Sequence, residues 1–165
     1  MREIYERRSI RKYTEEPVEK QLIKQIIQAG IQAPSGKNGQ PWKFIVVQED
    51  KELLKQIAGL TLYKNFVETA DALILVFLDK TGSYHYIKDA QAIGACIQNM
   101  LLEITRLKLG SCWIGEILNR DIFVKKLLKI DNKLDLMAVL TVGYSAESPK
   151  ALKKKPLTDC LLNFL

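Results

Sequence analysis

A run of seven consecutive apolar residues, at positions 72–78, constrains the fold of this chain more than any other feature of its sequence. A strand with one face in water alternates apolar and polar residues, whereas a run without any polar position is typical of a strand buried on both faces. The run is much shorter than the roughly 20 apolar residues that a membrane-spanning helix needs. We therefore expect a central strand in a sheet that is covered on both faces.

The elements around this strand mix helices and strands within one domain, because 165 residues are about one domain's worth of chain. Apolar spacing, acidic first turns and β-branched runs predict where these elements lie. Helices are predicted at residues 17–33, 52–58, 89–109 and 121–128, and strands at 44–47, 72–78, 112–117 and 137–144. The connections vary in length and only some contain helices, which indicates an α+β or α/β mixture without the regular alternation of a doubly wound sheet.

The net charge of +6 comes from two clusters near opposite ends of the chain. These clusters are Arg7, Arg8, Arg11 and Lys12, and Lys150, Lys153, Lys154 and Lys155. Without them the chain is slightly acidic, so the basic residues do not form the long stripe that suits a polyanion. Two compact clusters match a compact anion such as a phosphate group better. A basic protein that binds nucleic acid is the alternative, and we expect no nucleic-acid partner.

Cysteine and histidine are too few and too scattered to predict a disulfide framework or a transition-metal site. The three cysteines, Cys96, Cys112 and Cys160, lie far apart, and His85 is the single histidine. We therefore expect no bound metal and a reducing compartment. Charged residues follow Met1 at once, with no apolar signal segment, so we expect a soluble, cytoplasmic protein without a membrane anchor.

The first candidate binding motif is R-R-S-I-R at residues 7–11. It places three guanidinium groups and the hydroxyl of Ser9 within five residues. Guanidinium forks bind phosphate oxygens in pairs, so the motif is a candidate phosphate site. The alternative is a solvated basic stretch at a helix terminus.

The second motif is the loop A-P-S-G-K-N-G-Q-P-W at residues 33–42. Its glycines indicate unusual backbone angles or a close approach of the backbone to a ligand. The amide of Asn38 can donate and accept together, which suits a ring edge bearing both a carbonyl and an N–H, such as the pyrimidine side of a flavin. The alternative is an ordinary turn between a helix and a strand, with Trp42 buried in the core.

The third motif, G-S-C-W-I-G at residues 110–115, places Gly115 in a strand-like stretch. A glycine there lets the backbone approach a flat ligand, although it also fits a β-bulge. Glu116 follows, and one acidic residue beside a strand end is more often a cap or a solvent-facing residue than an acid or base. The fourth motif, K-K-K-P at residues 153–156, is by itself typical of an exposed basic tail.

Taken in this order, the motifs resemble those of the nitroreductase superfamily of FMN-dependent oxidoreductases. The shared patterns are the R-R-S-x-R start, the A-P-S-x-x-N-x-Q-P-W loop and the D…Q-N-M-L-L…L-G…W-I-G middle, followed by a basic cluster before Pro156. The resemblance extends over residues 7–165. It implies a three-layer α+β fold, with helices flanking a central mixed, mostly antiparallel sheet, in one domain over residues 1–165.

The resemblance also implies a homodimer with FMN at the subunit interface. Four residues would hold the FMN phosphate: Arg7, Arg8, Ser9 and Arg11. Four more would come from the partner subunit: Pro34, Ser35, Gly36 and Asn38. Two would offer backbone groups to the flavin ring: Ile114 and Gly115. One tail lysine would close on the phosphate, with Lys154 as the first candidate and Lys153 as the second. The tail from about residue 150 to 165 would pack on the partner.

The function implied by the resemblance is an FMN-dependent oxidoreductase with NAD(P)H as co-substrate. Its acceptors would be nitroaromatics, quinones or similar electron-poor molecules, reduced by a ping-pong mechanism. No side chain is required as an acid or base, since the flavin supplies the chemistry. Alternatives within the superfamily are reductive dehalogenation and flavin breakdown. The brief segment at residues 60–71, including Asn65, receives no role from the motifs.

Overall fold

Four antiparallel strands form the sheet at the centre of the computed structural model, which describes residues 2–148 and 153–164. The strands are β1 (Trp42–Val47), β2 (Ala72–Asp79), β3 (Gly110–Ile114) and β4 (Leu134–Gly143). Their order in the sheet is β1-β2-β4-β3, so β2 and β4 are central. This arrangement confirms the predicted α+β class.

Six α-helices surround the sheet within the described ranges. They are α1 (Glu3–Glu6), α2 (Lys20–Gly30), α3 (Lys51–Ala58), α4 (Lys64–Val67), α5 (Tyr86–Arg106) and α6 (Asp121–Leu128). The short helices α1 and α4 were absent from the sequence-based expectation, because four residues are too few to show an apolar period.

The two faces of β2 are buried in two separate cores, as its apolar run predicts. Ile74 and Val76 pack in the core that contains α2 and α5. Leu75 and Phe77 point the other way, into the core that contains α3 and α6. Because strand side chains alternate between faces, a strand with helices on both sides has no position left for a polar residue.

The first long helix begins at Lys20, so the predicted start at Pro17 is wrong. A hydrogen-bonded carboxylate holds the preceding residues outside the helix: the backbone N–H of Val18 donates to Asp71 Oδ2 at 2.9 Å, and Gln48 Nε2 donates to the Val18 carbonyl at 2.6 Å. Tertiary hydrogen bonds therefore override the helix-start signal of the proline.

The boundary between α5 and β3 also differs from the prediction, which put the helix end at Leu109 and the strand at residues 112–117. The helix ends at Arg106, and Lys108 takes a left-handed conformation with φ 59°. The Leu109 N–H then donates to the Ile104 carbonyl at 3.0 Å, which closes the helix end. The chain is thus free to enter β3 at Gly110.

Two further features concern the described residues alone. They contain no group of three or more His, Cys, Asp or Glu side chains placed to hold a metal ion. None of their helices combines the length and the apolar character needed to cross a membrane.

Candidate functional site

The R-R-S-I-R segment lies along the outer edge of β3. Ser9 forms a parallel bridge with Ser111, and the Ile10 N–H donates to the Ser111 carbonyl at 2.8 Å. The buried Ile10 side chain packs on Gly110, where a Cβ would come within 2.8 Å of Ile10. The sheet edge therefore fixes the backbone that carries the three arginines.

A cavity of about 340 Å³ beside this segment collects the positive charge from both ends of the chain. It is lined by Ile4, Tyr5, Arg7, Arg8, Ser9, Gln98 and Lys154. No acidic side chain is among these lining residues. Two guanidinium groups, an ammonium group and a hydroxyl around one cavity are groups that suit a compact anion such as a phosphate. We call it the anion cavity.

The guanidinium group of Arg8 is oriented by the backbone next to it. Its Nη1 donates to the carbonyl of Tyr5 at 2.6 Å and to that of Arg7 at 2.8 Å. The Tyr5 carbonyl belongs to α1, so this contact also ties the short helix to the segment that follows it. Arg8 therefore has both a structural role and free donors to offer to an anion.

Arg11 lines a second cavity, of about 550 Å³, and not the anion cavity. The second cavity is lined by Arg11, Lys12, Tyr13, Leu62, Tyr63, Asn65, Phe66 and Thr69. The Arg11 guanidinium lies 6.0 Å from the centroid of the Phe66 ring. Aromatic rings, a cation and an amide around an open cavity suit a flat, polar-edged ligand, so we call it the ring cavity.

Asn65 is the candidate that motif reasoning could not assign. It sits in the four-residue helix α4, which has no periodic sequence signal, and the structure brings it to Arg11 across the ring cavity. A side-chain amide supplies one donor and one acceptor group side by side, whereas Arg11 supplies donors only. The two residues together can read a ring edge that has both kinds of group.

The end of β3 presents backbone groups, and not side chains, to its surroundings. Ile114 is buried in the core, with 1% of its surface exposed. Gly115 is exposed, and a Cβ added to it would meet no atom within 4 Å. The rest of the chain therefore does not require glycine at this position, and its missing side chain leaves open space for something from outside.

Glu116 acts as a cap that ties two segments together. Its Oε2 accepts from Thr61 Oγ1 at 2.6 Å and from the Leu62 N–H at 3.1 Å. The hydrogen bond from Thr61, followed by that from Leu62, holds the pKa of the Glu116 carboxyl below its ordinary value. A carboxylate kept ionised in this way is a poor proton donor, so the capping interpretation is the one that the contacts support.

The loop at residues 34–40 does not line either cavity of its own chain. It contains a short turn, Gly36–Asn38. The residues on either side of the turn are joined by a hydrogen bond, in which Ser35 Oγ accepts from the Gln40 N–H at 3.0 Å. Pro34 and Asn38 are exposed, and Ser35 and Gly36 are half-buried. A role for this loop in the site thus requires a second copy of the chain.

The loop glycines do not provide the unusual backbone angles that we expected of them. The left-handed residues of this loop are Lys37, Asn38 and Gln40, with φ between 47° and 55°, and no described glycine has a positive φ. Gly36 instead makes a close contact with Tyr84, whose ring an added Cβ would displace. The backbone at Gly36 is thus closely approached, as expected, but by the side chain of Tyr84 and not by a ligand.

The C-terminal tail carries exposed apolar residues beyond its lysines. Lys153 is exposed and does not line the anion cavity, whereas Lys154 does. Leu162 is 99% exposed and Phe164 is 89% exposed. The predicted start of the tail, near residue 150, falls within residues 149–152 and lies outside the described residues.

Comparison with known proteins adds to this geometry. The model of the Nitroreductase family matches residues 4–63 and 59–144. A protein of Archaeoglobus fulgidus with the provisional name NADH dehydrogenase/NAD(P)H nitroreductase is 35% identical over 86% of this chain and 82% of its own. An iodotyrosine deiodinase of Thermotoga neapolitana is 26% identical over 96% of this chain and 93% of its own.

Among solved structures, one from Desulfovibrio desulfuricans is similar over nearly the whole chain. It is described as a provisional nitroreductase in complex with FMN. It superposes with a TM-score of 0.95 at 39% sequence identity, covering 99% of this chain and 95% of its own.

Proposed function

Because this chain belongs to the nitroreductase family, we propose that it is an FMN-dependent oxidoreductase that uses NAD(P)H to reduce electron-poor aromatic acceptors. The observation that carries the proposal is the anion cavity, in which Arg7, Arg8 and Ser9 meet Lys154 from the far end of the chain. The solved relative from D. desulfuricans contains FMN, whose phosphate is an anion of the kind that such a cavity suits.

The anion cavity suits the phosphate of FMN in charge and in the donors that it offers. A phosphate monoester carries close to two negative charges at neutral pH, and the cavity offers two arginines and one lysine without a competing carboxylate. Arginine binds two phosphate oxygens at once, whereas Lys154 adds a point charge from a separate segment. We assign Arg7, Arg8, Ser9 and Lys154 to the phosphate, with Lys153 as an outer charge.

The ring cavity would hold the flavin ring. Residues 7–11 lie outside the helices, and Ser9 bridges to β3. At no more than about 3.3 Å per residue, this segment spans at most about 13 Å. A ribityl chain, with a phosphate at one end and a ring at the other, can follow this path. We therefore assign Arg11 and Asn65 to the polar edge of the ring.

The remaining contacts with the ring come from backbone groups and from the partner. Gly115 leaves open space where a ring can approach the backbone of Ile114 and Gly115.

FMN, when bound, supplies the redox chemistry, accepting a hydride from NAD(P)H and passing electrons to the acceptor. The donors of Arg11 would stabilise negative charge at the ring edge, and the rings of Tyr63 and Phe66 would line one side of the flavin.

We further propose a homodimer in which the loop at residues 34–38 completes the partner's flavin site. Pro34, Ser35, Gly36 and Asn38 line neither cavity of their own chain. The exposed Leu162 and Phe164 would be covered by the partner, because side chains of this size rarely stay in water at nearly full exposure in one tail.

The acceptor and NAD(P)H would use the same face of the ring in turn. The described residues form one sheet with its helices, and the sequence contains no G-x-G-x-x-G fingerprint for a second nucleotide site. Steady-state kinetics with both substrates varied should give parallel double-reciprocal lines for a quinone or a nitroaromatic. Intersecting lines would show two separate sites.

Reductive deiodination is the second candidate, favoured by the similarity to the T. neapolitana deiodinase. Incubating the purified protein with iodotyrosine and a reductant, and measuring released iodide, separates the two activities. The nitroreductase assignment predicts fast reduction of quinones and no iodide above background.

The proposal is tested most simply by the colour of the protein. Protein purified without added flavin should show a flavin absorption spectrum, and the chromophore released by heat should have the mass of FMN. A colourless protein that also fails to bind added FMN would contradict the proposal.

A further inference from the structure

Tyr84 lies against the backbone of Gly36, in the middle of the loop at residues 34–40. A Cβ built on Gly36 would lie 2.1 Å from the Tyr84 hydroxyl oxygen and 2.8 Å from the ring atoms Cε1 and Cζ. Side chains do not approach one another that closely. A side chain at position 36 would therefore displace the Tyr84 ring, which is 43% exposed, from the loop.

The ring of Tyr84 also lies next to the residue that follows Gly36. Lys37 Nζ is 4.8 Å from the ring centroid, and Lys88 Nζ is 5.5 Å from it. An ammonium group at this distance from an aromatic ring is attracted to its electron-rich face. Tyr84 thus contacts two consecutive residues of the loop. Gly36 lies against its hydroxyl and ring edge, and the ammonium group of Lys37 lies near its ring.

A buried carboxylate of α5, the longest helix, anchors the segment that carries Tyr84. Ser83 Oγ donates to Asp89 Oδ2 at 2.5 Å, and Asp89 is only 2% exposed in the first turn of α5. This hydrogen bond holds the residue before Tyr84 against the helix. The segment that carries Tyr84 is therefore tied to α5, which belongs to the core.

The loop needs such support, because three of its residues are left-handed. Lys37, Asn38 and Gln40 have φ values of 54°, 55° and 47°. This conformation is unfavourable for residues with a side chain and persists where the surroundings hold it. The hydrogen bond from the Gln40 N–H to Ser35 Oγ supports one end of the turn, and Tyr84 supports its centre.

We propose that Tyr84 is a positioning residue for the flavin site: by holding Gly36 and Lys37 it fixes the turn that presents Ser35 and Asn38 to the partner subunit. The inference rests on the proposed function, since it assumes that this loop meets the flavin. It adds a residue outside every motif of the sequence, acting through the loop and not on the flavin directly.

A double-mutant cycle tests the contact between Gly36 and Tyr84. Gly36→Ala and Tyr84→Ala, alone and combined, are compared in the purified holoprotein by FMN dissociation constant and by the absorption maximum of the bound flavin. Each single variant should weaken FMN binding about tenfold. The double variant should bind no more weakly than Tyr84→Ala, because without the ring the added methyl group meets nothing.

Two further variants separate positioning from general damage to the fold. Tyr84→Phe keeps the ring next to Lys37 and should restore most of the FMN affinity. Tyr86→Ala removes an exposed tyrosine two residues away and should leave FMN binding unchanged. Hydrogen exchange should speed up at the amides of residues 36–40 in Tyr84→Ala, while the amides of β2 stay protected.

The outcomes distinguish this inference from the proposed function. If the unmodified protein binds no FMN, the proposed function fails, and this inference with it. If FMN binds normally but the two substitutions are additive, or Tyr84→Ala leaves both FMN affinity and loop exchange unchanged, only the role of Tyr84 is overturned.

Discussion

Ser9 pairs with Ser111 in a parallel bridge, so the arginine-rich segment is held by the backbone of β3 at the open edge of the sheet. The bridge divides the segment between two cavities, with Arg7 and Arg8 in the anion cavity and Arg11 in the ring cavity. One short stretch of chain can therefore contact both the phosphate and the ring of a single flavin.

Arg7→Ala should weaken the binding of FMN but not of riboflavin. The substitution removes a guanidinium group from the anion cavity, and a charge-assisted hydrogen bond is typically worth about 1.5–3 kcal/mol, or roughly ten- to a hundredfold in affinity. Fluorescence titration of both flavins measures the two dissociation constants. Lys55→Ala, which removes an exposed charge from α3, is the control and should change neither constant.

Arg11→Ala should weaken both flavins by a similar factor, about tenfold, since Arg11 lines the ring cavity. The same titrations give the result, and Asn65→Ala should behave in the same way. A loss confined to FMN would instead place Arg11 at the phosphate, as the sequence resemblance implies.

Stability should fall in acid in part because of Asp71. Burial raises the pKa of its carboxyl, but the hydrogen bonds from Lys51, the Val18 N–H and Gln48 outweigh burial and bring the pKa below its ordinary value. A group with a lowered pKa in the folded state stabilises the fold above the pKa of the unfolded chain, and this contribution disappears as the pH falls through the folded-state pKa.

Asp71→Ala should therefore lower the free energy of unfolding by about 1–3 kcal/mol at pH 7. The difference from the unmodified protein should shrink below about pH 4. Urea denaturation at a series of pH values provides the measurement, with Glu15→Ala as an exposed acidic control. An effect of the same size at pH 3 and pH 7 would exclude an ionic role for this carboxylate.

The exposed tail should hold the dimer together. Light scattering of the unmodified protein should give about twice the 18.8 kDa chain mass. Replacing both Leu162 and Phe164 with serine should shift the particle toward the monomer and weaken FMN binding, because apolar area is lost from the contact. Ile122→Ser, at a residue of α6 that is 75% exposed, should do neither. A stable, FMN-loaded monomer would contradict the shared site.

The central strand was predictable from sequence because burial on both faces leaves an unambiguous signal at residues 72–78. The start of α2 was not, since it is decided by hydrogen bonds between Val18 and two residues distant in sequence: Asp71, which accepts, and Gln48, which donates. Long-range contacts of this kind have no local pattern.

The residues of the candidate site also differ in whether the sequence alone could predict them. Arg7, Arg8, Ser9 and Lys154 were predicted through motifs, and the structure brings them to one cavity. Asn65 lies in a helix too short to show a period, and Tyr84 acts through a contact with Gly36 that only the folded chain reveals. Local spacing can indicate which residues bind, but it cannot show which neighbours hold them in place.

The most direct measurement of the central claim compares FMN with riboflavin on the unmodified protein, because the two ligands differ only by the phosphate. If the anion cavity holds that phosphate, FMN should bind at least about a hundredfold more tightly, corresponding to roughly 2.7 kcal/mol. The preference should also diminish as salt concentration rises. Equal affinity for the two flavins would contradict the account.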